Sequence, residues 1–157
     1  MKRIIIAIAV SAGIGGTLLL TRPFGSTAPR VAGDTAPMAA VVHKTPACGC
    51  CANYITYLKR KGFEVEVQNH DDLTAIKEQH GVPGGLESCH TTVIGDYVSE
   101  GHVPVESILS MLAEKPEIAG IALPGMPAGS PGMGGVARGE LGVYGFTASR
   151  DISRYQE

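Results

Sequence analysis

Apolar and polar positions follow two distinct periods along the middle of the chain, and these periods predict a series of strands and helices. Residues 39–44 form a short apolar run, which indicates a buried strand. Between Cys51 and Lys61 the apolar positions fall on one side of a helix, and Gly62 suits its C-terminal stop. Residues 63–67 alternate with period two, which is typical of a half-buried strand.

Residues 71–112 predict two further helices with a hairpin between them. Asp71 and Asp72 suit the N-terminal cap of a second helix, which closes near Gly81. Residues 91–99 predict a hairpin with a tight turn, and Pro104 suits the first position of a third helix. The apolar face of this third helix consists of Ile108, Leu109, Met111 and Leu112.

The predicted order of elements is β-α-β-α-β-β-α. A helix joins the first two strands, which are therefore expected to be parallel, while the last two strands form an antiparallel pair. This is the element order of a thioredoxin-like fold, an α/β domain with a mixed sheet. Residues 123–135 are rich in Gly and Pro and predict a methionine-containing C-terminal loop, and residues 144–157 are expected to add one short strand.

The N-terminus differs from the rest of the chain. Two cations precede an apolar run at residues 4–20, which is the pattern of an export signal. The run is long for a cleavable signal and falls short of the about 20 residues of a spanning helix, so residues 1–22 are predicted to be a signal peptide or a membrane anchor. Residues 23–38 predict a flexible linker, and residues 39–157 predict the folded, metal-binding domain.

Composition and charge exclude one class of function. The 157 residues are 44% hydrophobic, which is enough for one ordinary core. The formal net charge of −2 provides no basic surface for nucleic acid, so nucleic-acid binding is not expected.

The strongest chemical signal is a cluster of cysteines. Cys48, Cys50 and Cys51 lie where the first strand leads into the first helix, and Cys89 lies before the third strand, where it should face the same loop. A helix N-terminus favours thiolates, and soft thiolates favour Cu(I), Zn²⁺ or an iron–sulfur cluster. Two structural disulfides or a redox-active dithiol of Cys48 and Cys51 are the alternatives. Three thiols in one helical turn suit a metal ion best.

Histidines and methionines supply further candidate ligands. His90 follows the fourth cysteine directly, and His102 precedes the third helix on the same edge of the sheet, so both are predicted ligands. Met126 and Met133 lie in the Gly/Pro loop, where a thioether buries little surface and suits Cu(I), with simple loop packing as the alternative. His43 fits a core histidine as well as a ligand. His70 fits an exposed loop, and His80 fits the cap of a helix.

Four motifs in series resemble one protein family. They are KTPACGCC at 44–51, SCHT at 88–91, EGHVP at 100–104 and PGMPAGSPGM at 124–133. The family, number 411 among the domains of unknown function, contains bacterial exported metal-binding proteins, including copper-resistance proteins of the CopG type. The resemblance implies a thioredoxin-like fold, a periplasmic location, copper bound through the cysteines and a role in copper tolerance.

The expected function is therefore that of an exported copper-binding protein rather than an enzyme. We expect it to hold Cu(I), with more than one ion where thiolates bridge, for sequestration, relay or redox handling. Its expected partners are copper ions and other periplasmic copper-handling proteins, with the inner membrane as the place of any N-terminal anchor. The alternative is a periplasmic thiol–disulfide oxidoreductase that uses Cys48 and Cys51.

Overall fold

A computed structural model describes residues 37–155 of the chain. The predicted export segment at residues 1–22, and the predicted linker at 23–38 except for its last two residues, lie outside this range. Within 37–155, no helix is long and apolar enough to cross a membrane.

Seven strands and three α-helices make up this part of the chain. The elements are β1 (Met38–Lys44), α1 (Gly49–Arg60), β2 (Phe63–Asn69), α2 (Thr74–Gln79), a 3₁₀ turn (Gly84–Leu86), β3 (His90–Ile94), β4 (Tyr97–Gly101), α3 (Val105–Glu114), β5 (Gly120–Leu123), β6 (Tyr144–Phe146) and β7 (Ile152–Arg154). The predicted α/β class with a mixed sheet is confirmed. The order up to α3 is the predicted β-α-β-α-β-β-α, which is consistent with a thioredoxin-like fold.

All seven strands belong to one sheet in the order β2-β1-β3-β4-β5-β6-β7. β1 and β2 are parallel, and β3 and β4 form an antiparallel hairpin across a two-residue turn, both as predicted. β1 is antiparallel to β3, while β4 and β5 are parallel. The starts of α1 and β3 and the end of β4 therefore meet at one edge of the sheet.

The C-terminal part contains more sheet than its sequence predicts. β5 pairs with β4, and the tail adds two strands, β6 and β7, rather than one. All four residues of β5 are buried, so the strand shows no alternation of apolar and polar positions. At Gly120 a side chain would clash with the backbone of Val98, because the two strands approach closely there.

The helices differ from the prediction in detail. α1 begins two residues earlier than expected, at Gly49, because the Cys48 Sγ accepts a hydrogen bond from the backbone N–H of Cys51. Leu73 is the N-terminal cap of α2, rather than Asp71 or Asp72, although Asp72 accepts bonds from the backbone N–H and the hydroxyl of Thr74. The prediction that Leu109 is buried is wrong, since its side chain turns outward and is 41% exposed.

The two faces of the sheet have opposite character. One face packs against α1 and α3 through a buried apolar cluster that includes Val42, Leu58 and Ile108. The other face carries His43, Thr91 and Glu100 at directly opposed positions on β1, β3 and β4. All three residues are buried, and Lys77 of α2 contacts Thr91 and Glu100.

A buried ion pair joins α2 to this polar row. Lys77 of α2 forms a short salt bridge with Glu100. The two carboxylate oxygens also accept bonds of 2.6 Å from the backbone N–H of Ser88 and from the Thr91 hydroxyl. Burial raises the pKa of Glu100, while Lys77 and these donors oppose that shift. The carboxylate therefore holds α2, β3, β4 and the segment before β3 together.

Removal of the cation from this pair should be costly. We expect Lys77→Met to lower the free energy of unfolding by roughly 3–5 kcal/mol, because it leaves a buried charge without its partner. Denaturant unfolding followed by circular dichroism measures the change. Lys59→Met, at an exposed position of α1, is the control and should change stability by no more than about 0.5 kcal/mol. A similar small loss for both variants would contradict this role of the ion pair.

Candidate metal centre

The first part of the site is the start of α1. Cys48 is the N-terminal cap of this helix, and Cys50 and Cys51 lie in its first turn. Cys48 and Cys51 form a disulfide, and the Cys50 Sγ lies 3.5 Å from the Cys48 Sγ. Cys51 is buried, whereas Cys48 and Cys50 are partly exposed. One helical turn thus gathers three sulfur atoms, as their spacing predicts.

Cys89 approaches the same point from the segment that precedes β3. Its carbonyl oxygen lies 3.6 Å from the Cys51 Sγ, and the sulfur atoms of all four cysteines lie within 4.8 Å of one another. Cys50 and Cys89 are free thiols. Residues from distant parts of the chain therefore form one sulfur cluster, with two members in a disulfide and two reduced.

Two histidines extend this cluster. The Cys89 Sγ lies 3.3 Å from the Nδ1 of His90 and 3.2 Å from the Nε2 of His102. Both imidazoles are fully buried, and together with Cys89 they form a second group of converging ligand atoms. Cys89 is therefore the member that the sulfur group and the imidazole group share.

The ring of Tyr54 packs against both imidazoles. The sequence shows only that Tyr54 lies on the apolar face of α1, so it does not predict this contact. Its ring centroid lies 4.7 Å from that of His90 and 5.2 Å from that of His102. Its hydroxyl donates a bond of 2.8 Å to the carbonyl of Val103. The helix that carries three cysteines thereby also fixes the position of both histidine rings.

The Gly/Pro loop contributes a backbone contact that sequence patterns do not reveal. The Nδ1 of His102 lies 2.6 Å from the carbonyl oxygen of Pro131. Because a carbonyl oxygen only accepts hydrogen bonds, Nδ1 carries the ring proton and donates a hydrogen bond to it. This tautomer leaves the Nε2 lone pair facing Cys89. Hydrogen bonds of this kind commonly orient histidines that bind metals.

The same loop packs directly on α1. Asn53 donates a bond of 3.4 Å to the carbonyl of Gly132, and a Cβ at Gly132 would lie 2.7 Å from the backbone nitrogen of Tyr54. Of the two methionines predicted to be ligands, Met133 follows Gly132 and is half-buried, whereas Met126 is 40% exposed with a left-handed φ of 45°. The loop therefore packs against α1 through Gly132, the residue before Met133.

Burial controls the charge of the site. Desolvation raises the pKa of Cys89 to about 12, with the nearby Cys50 adding to the effect. Desolvation also lowers the pKa of His90 to about 3 and lowers the pKa of His102. At neutral pH these groups are therefore an uncharged thiol and two neutral imidazoles. The Nε2 of His90 is buried and has no hydrogen-bond partner within the described residues.

A cavity of about 330 Å³ connects the site with solvent. Cys48 and Cys89 line one side, and Asp71 and Asp72 lie on its wall with Lys77. The acidic pair gives a cation a favourable approach to the two cysteines. These aspartates, which the sequence explains as helix caps, thus also belong to the surroundings of the site.

Two kinds of chemistry are available to these groups. With Cys48 and Cys51 oxidised, the disulfide can exchange with thiols of another molecule. With all four cysteines reduced, the site offers four sulfurs and two imidazole nitrogens, a donor set that favours soft or borderline cations. Both uses need the same two sulfur atoms, so they exclude each other at any moment.

Comparison with known proteins gives a consistent picture. A family model described as "Protein of unknown function, DUF411" matches residues 86–133. Two solved structures, named "Copper resistance protein copG- Form 2" and "Copper resistance protein copG- Form 1", are each 42% identical to the chain with a TM-score of 0.70. The alignments cover 76% of this chain and 97% and 96% of those chains, respectively. No curated protein matches the chain.

The contact between the loop and α1 can be tested with two glycines of the same loop. Gly132 has a φ of 79° and no room for a Cβ, so we expect Gly132→Ala to destabilise the protein by about 1 kcal/mol or more. It should also speed amide hydrogen exchange around His102. Gly134→Ala is the control, because nothing lies within 4 Å of its added Cβ. Equal unfolding midpoints and exchange rates in the two variants would contradict this packing.

Proposed function

The chain belongs to the CopG-type copper-resistance family, and from this premise we propose that it binds Cu(I) at the cysteine cluster outside the cytoplasm. The observation that carries the proposal is the convergence of four sulfur atoms within 4.8 Å. Thiolate sulfur is the donor that Cu(I) prefers, and neutral imidazole also suits copper. The residues present therefore fit the metal that the family's name implies.

The ligand set that we propose has an inner and an outer part. Cys48, Cys50, Cys51 and Cys89 supply thiolates, and four thiolates at this spacing suit bridges between more than one Cu(I). His90 and His102 supply imidazole nitrogens beside Cys89. Met126 and Met133 are proposed as outer thioether ligands. Support for Met133 comes from the position of the loop on α1, whereas support for Met126 rests on its sequence context alone.

Loading of the site requires two changes in the protein. Reduction of the disulfide by two equivalents of an external thiol yields the Cys48 and Cys51 thiols, while the external thiol is oxidised to its own disulfide. Binding of Cu(I) then displaces protons from thiols, and Cys89 in particular holds its proton tightly because of its burial. The high thiol pKa keeps Cys89 unreactive until a cation compensates the thiolate charge.

Copper tolerance then follows from the removal of free Cu(I). We propose that the protein sequesters the ion or passes it to other periplasmic copper-handling proteins. Oxidation of Cys48 and Cys51 to the disulfide would couple copper binding to the redox state of the protein. Export through the segment at residues 1–22 would place the site in the periplasm, either free or anchored in the inner membrane. The support for this location is the pattern of two cations followed by an apolar run.

A second function, thiol–disulfide exchange with periplasmic proteins, is favoured by one observation. Cys48 and Cys51 form a disulfide at a helix N-terminus, and the partly exposed Cys48 is the sulfur that another thiol would reach. Such an oxidoreductase has no need of Cys89. The two functions can therefore be separated by substitution.

Cys89 is the residue that distinguishes the two functions. We expect Cys89→Ser to lower Cu(I) affinity by at least about 10- to 100-fold. Loss of a residue that only hydrogen-bonds to a metal ligand often lowers metal affinity that much, and Cys89 is proposed to be a ligand itself. Disulfide exchange with a small thiol should remain largely intact. Cys51→Ser is the matched variant and should impair both copper binding and exchange. Competition with a Cu(I) chelator and a thiol-exchange assay provide the measurements, and unchanged copper affinity in Cys89→Ser would refute the four-sulfur site.

The redox state of Cys48 and Cys51 should control copper capacity. We expect the fully reduced chain to bind Cu(I) tightly and the disulfide form to bind it at least about 10-fold more weakly, because oxidation removes two of four thiolates. Anaerobic titration followed by thiolate-to-copper absorption compares the two forms. Equal capacity and affinity would show that these two sulfurs are not ligands.

A further inference from the structure

A buried cation lies beside the turn that leads into the cysteine cluster. Lys44, the last residue of β1, is only 7% exposed. Its ammonium group donates bonds to the carbonyl oxygens of Thr45 at 2.8 Å and Pro46 at 3.4 Å, and to the side chain of Asn69 at 3.3 Å. All three acceptors are uncharged, and Lys44 forms no ion pair with any carboxylate among residues 37–155.

The buried lysine of α2 has a different environment. Lys77 forms a salt bridge with Glu100, so its charge is neutralised. Burial of an ammonium group without a carboxylate is costly, because neutral acceptors replace only part of its hydration. The cost at Lys44 is offset if a negative charge develops near it in another state of the protein.

Lys44 is tied to the first cysteine through one carbonyl group. The carbonyl oxygen of Thr45 accepts a bond from the Lys44 ammonium group and a bond of 3.1 Å from the backbone N–H of Cys48. Cys48 is the N-terminal cap of α1 and forms the disulfide with Cys51. The ammonium group therefore holds the turn that places Cys48 at the start of the helix.

The charge of Lys44 also acts on the imidazole side of the site. Lys44 is directly opposite His90 in the pairing of β1 with β3. Directly opposed residues of neighbouring strands face the same side of a sheet, and His90 contacts Tyr54 of α1 on that side. Desolvation is the main cause of the low pKa of His90, and the positive charge of Lys44 contributes to it. The field of the ammonium group thus reaches the candidate ligands.

The net charge of the cysteine cluster depends on its state. The disulfide of Cys48 and Cys51 carries no charge. Cu(I) displaces one proton from each thiol that it binds, so a cluster with fewer Cu(I) ions than thiolates carries a net negative charge. A nearby cation stabilises thiolates. The charge of Lys44 is therefore uncompensated beside the disulfide and compensated beside the copper-loaded cluster.

We propose that Lys44 is the counter-charge of the thiolate cluster, a positioning residue that holds the turn before Cys48 and stabilises the negative charge of the Cu(I)-loaded site. This role rests on the proposed function. Thr45 and Cys48 line the cavity that leads to the site, whereas Lys44 does not. Lys44 therefore acts from behind the turn, through its hydrogen bonds and its charge, and is not itself a metal ligand.

Anaerobic Cu(I) titration of the reduced full chain, in competition with a chelator, tests the role of the charge. Lys44→Gln keeps a hydrogen-bond donor but removes the charge, and we expect it to lower Cu(I) affinity by about 10- to 100-fold, the usual effect of losing a residue that supports a metal ligand. Lys44→Arg keeps the charge and should restore most of the affinity. Lys59→Gln, at an exposed position of α1, is the control for the loss of one lysine and should bind Cu(I) like the wild-type chain.

Denaturant unfolding of the disulfide form separates the charge from simple packing. Lys44→Gln should leave the unfolding midpoint unchanged or raise it, because it removes an uncompensated buried charge. A lower midpoint, together with no recovery of Cu(I) affinity in Lys44→Arg, would show a purely structural role and overturn the proposal. Wild-type affinity in Lys44→Gln would overturn it too, while leaving the proposed function in place. Absence of tight Cu(I) binding in the wild-type chain would overturn the proposed function, and this role with it.

Discussion

Glu100 is the group on which the rest of the structure depends most. Its buried carboxylate bonds to Lys77, to the Thr91 hydroxyl and to the backbone of Ser88, the residue next to Cys89. A charge buried in this way is tolerated only while its partners stay in place. The segment that carries Cys89 is therefore fixed from the α2 side of the sheet. His102 lies two residues beyond Glu100, so one carboxylate governs the position of two elements of the site.

Desolvation of the candidate ligands sets their protonation states. Tyr54 and the loop around Pro131 exclude water from His90 and His102, and burial keeps both imidazoles neutral. The same burial holds Cys89 as a thiol. Neutral imidazoles are ready ligands, whereas the thiol must lose its proton to a metal. The site is thus arranged so that a cation supplies the missing charge, and the disulfide competes with that cation for Cys48 and Cys51.

The sheet separates the candidate metal centre from the remaining histidines. The α1 side carries sulfur together with His90 and His102, and the α2 side carries the remaining three histidines. The boundary between them is a single residue step on β3, from His90 to Thr91, because side chains alternate along a strand.

The sequence by itself determined the first seven elements, the mixed sheet and the gathering of Cys48, Cys50 and Cys51, because these depend on local periodicity and on the reach of one helical turn. It also indicated Cys89, His90 and His102 through their positions at strand ends. It did not reveal β5, whose residues are buried on both faces and lack alternation, or the exposure of Leu109. Only the tertiary structure decided that Tyr54 supports the imidazoles, that Pro131 orients His102 and that His43 lies next to His70. Such contacts join residues far apart in the chain, and no local pattern records which of them will touch.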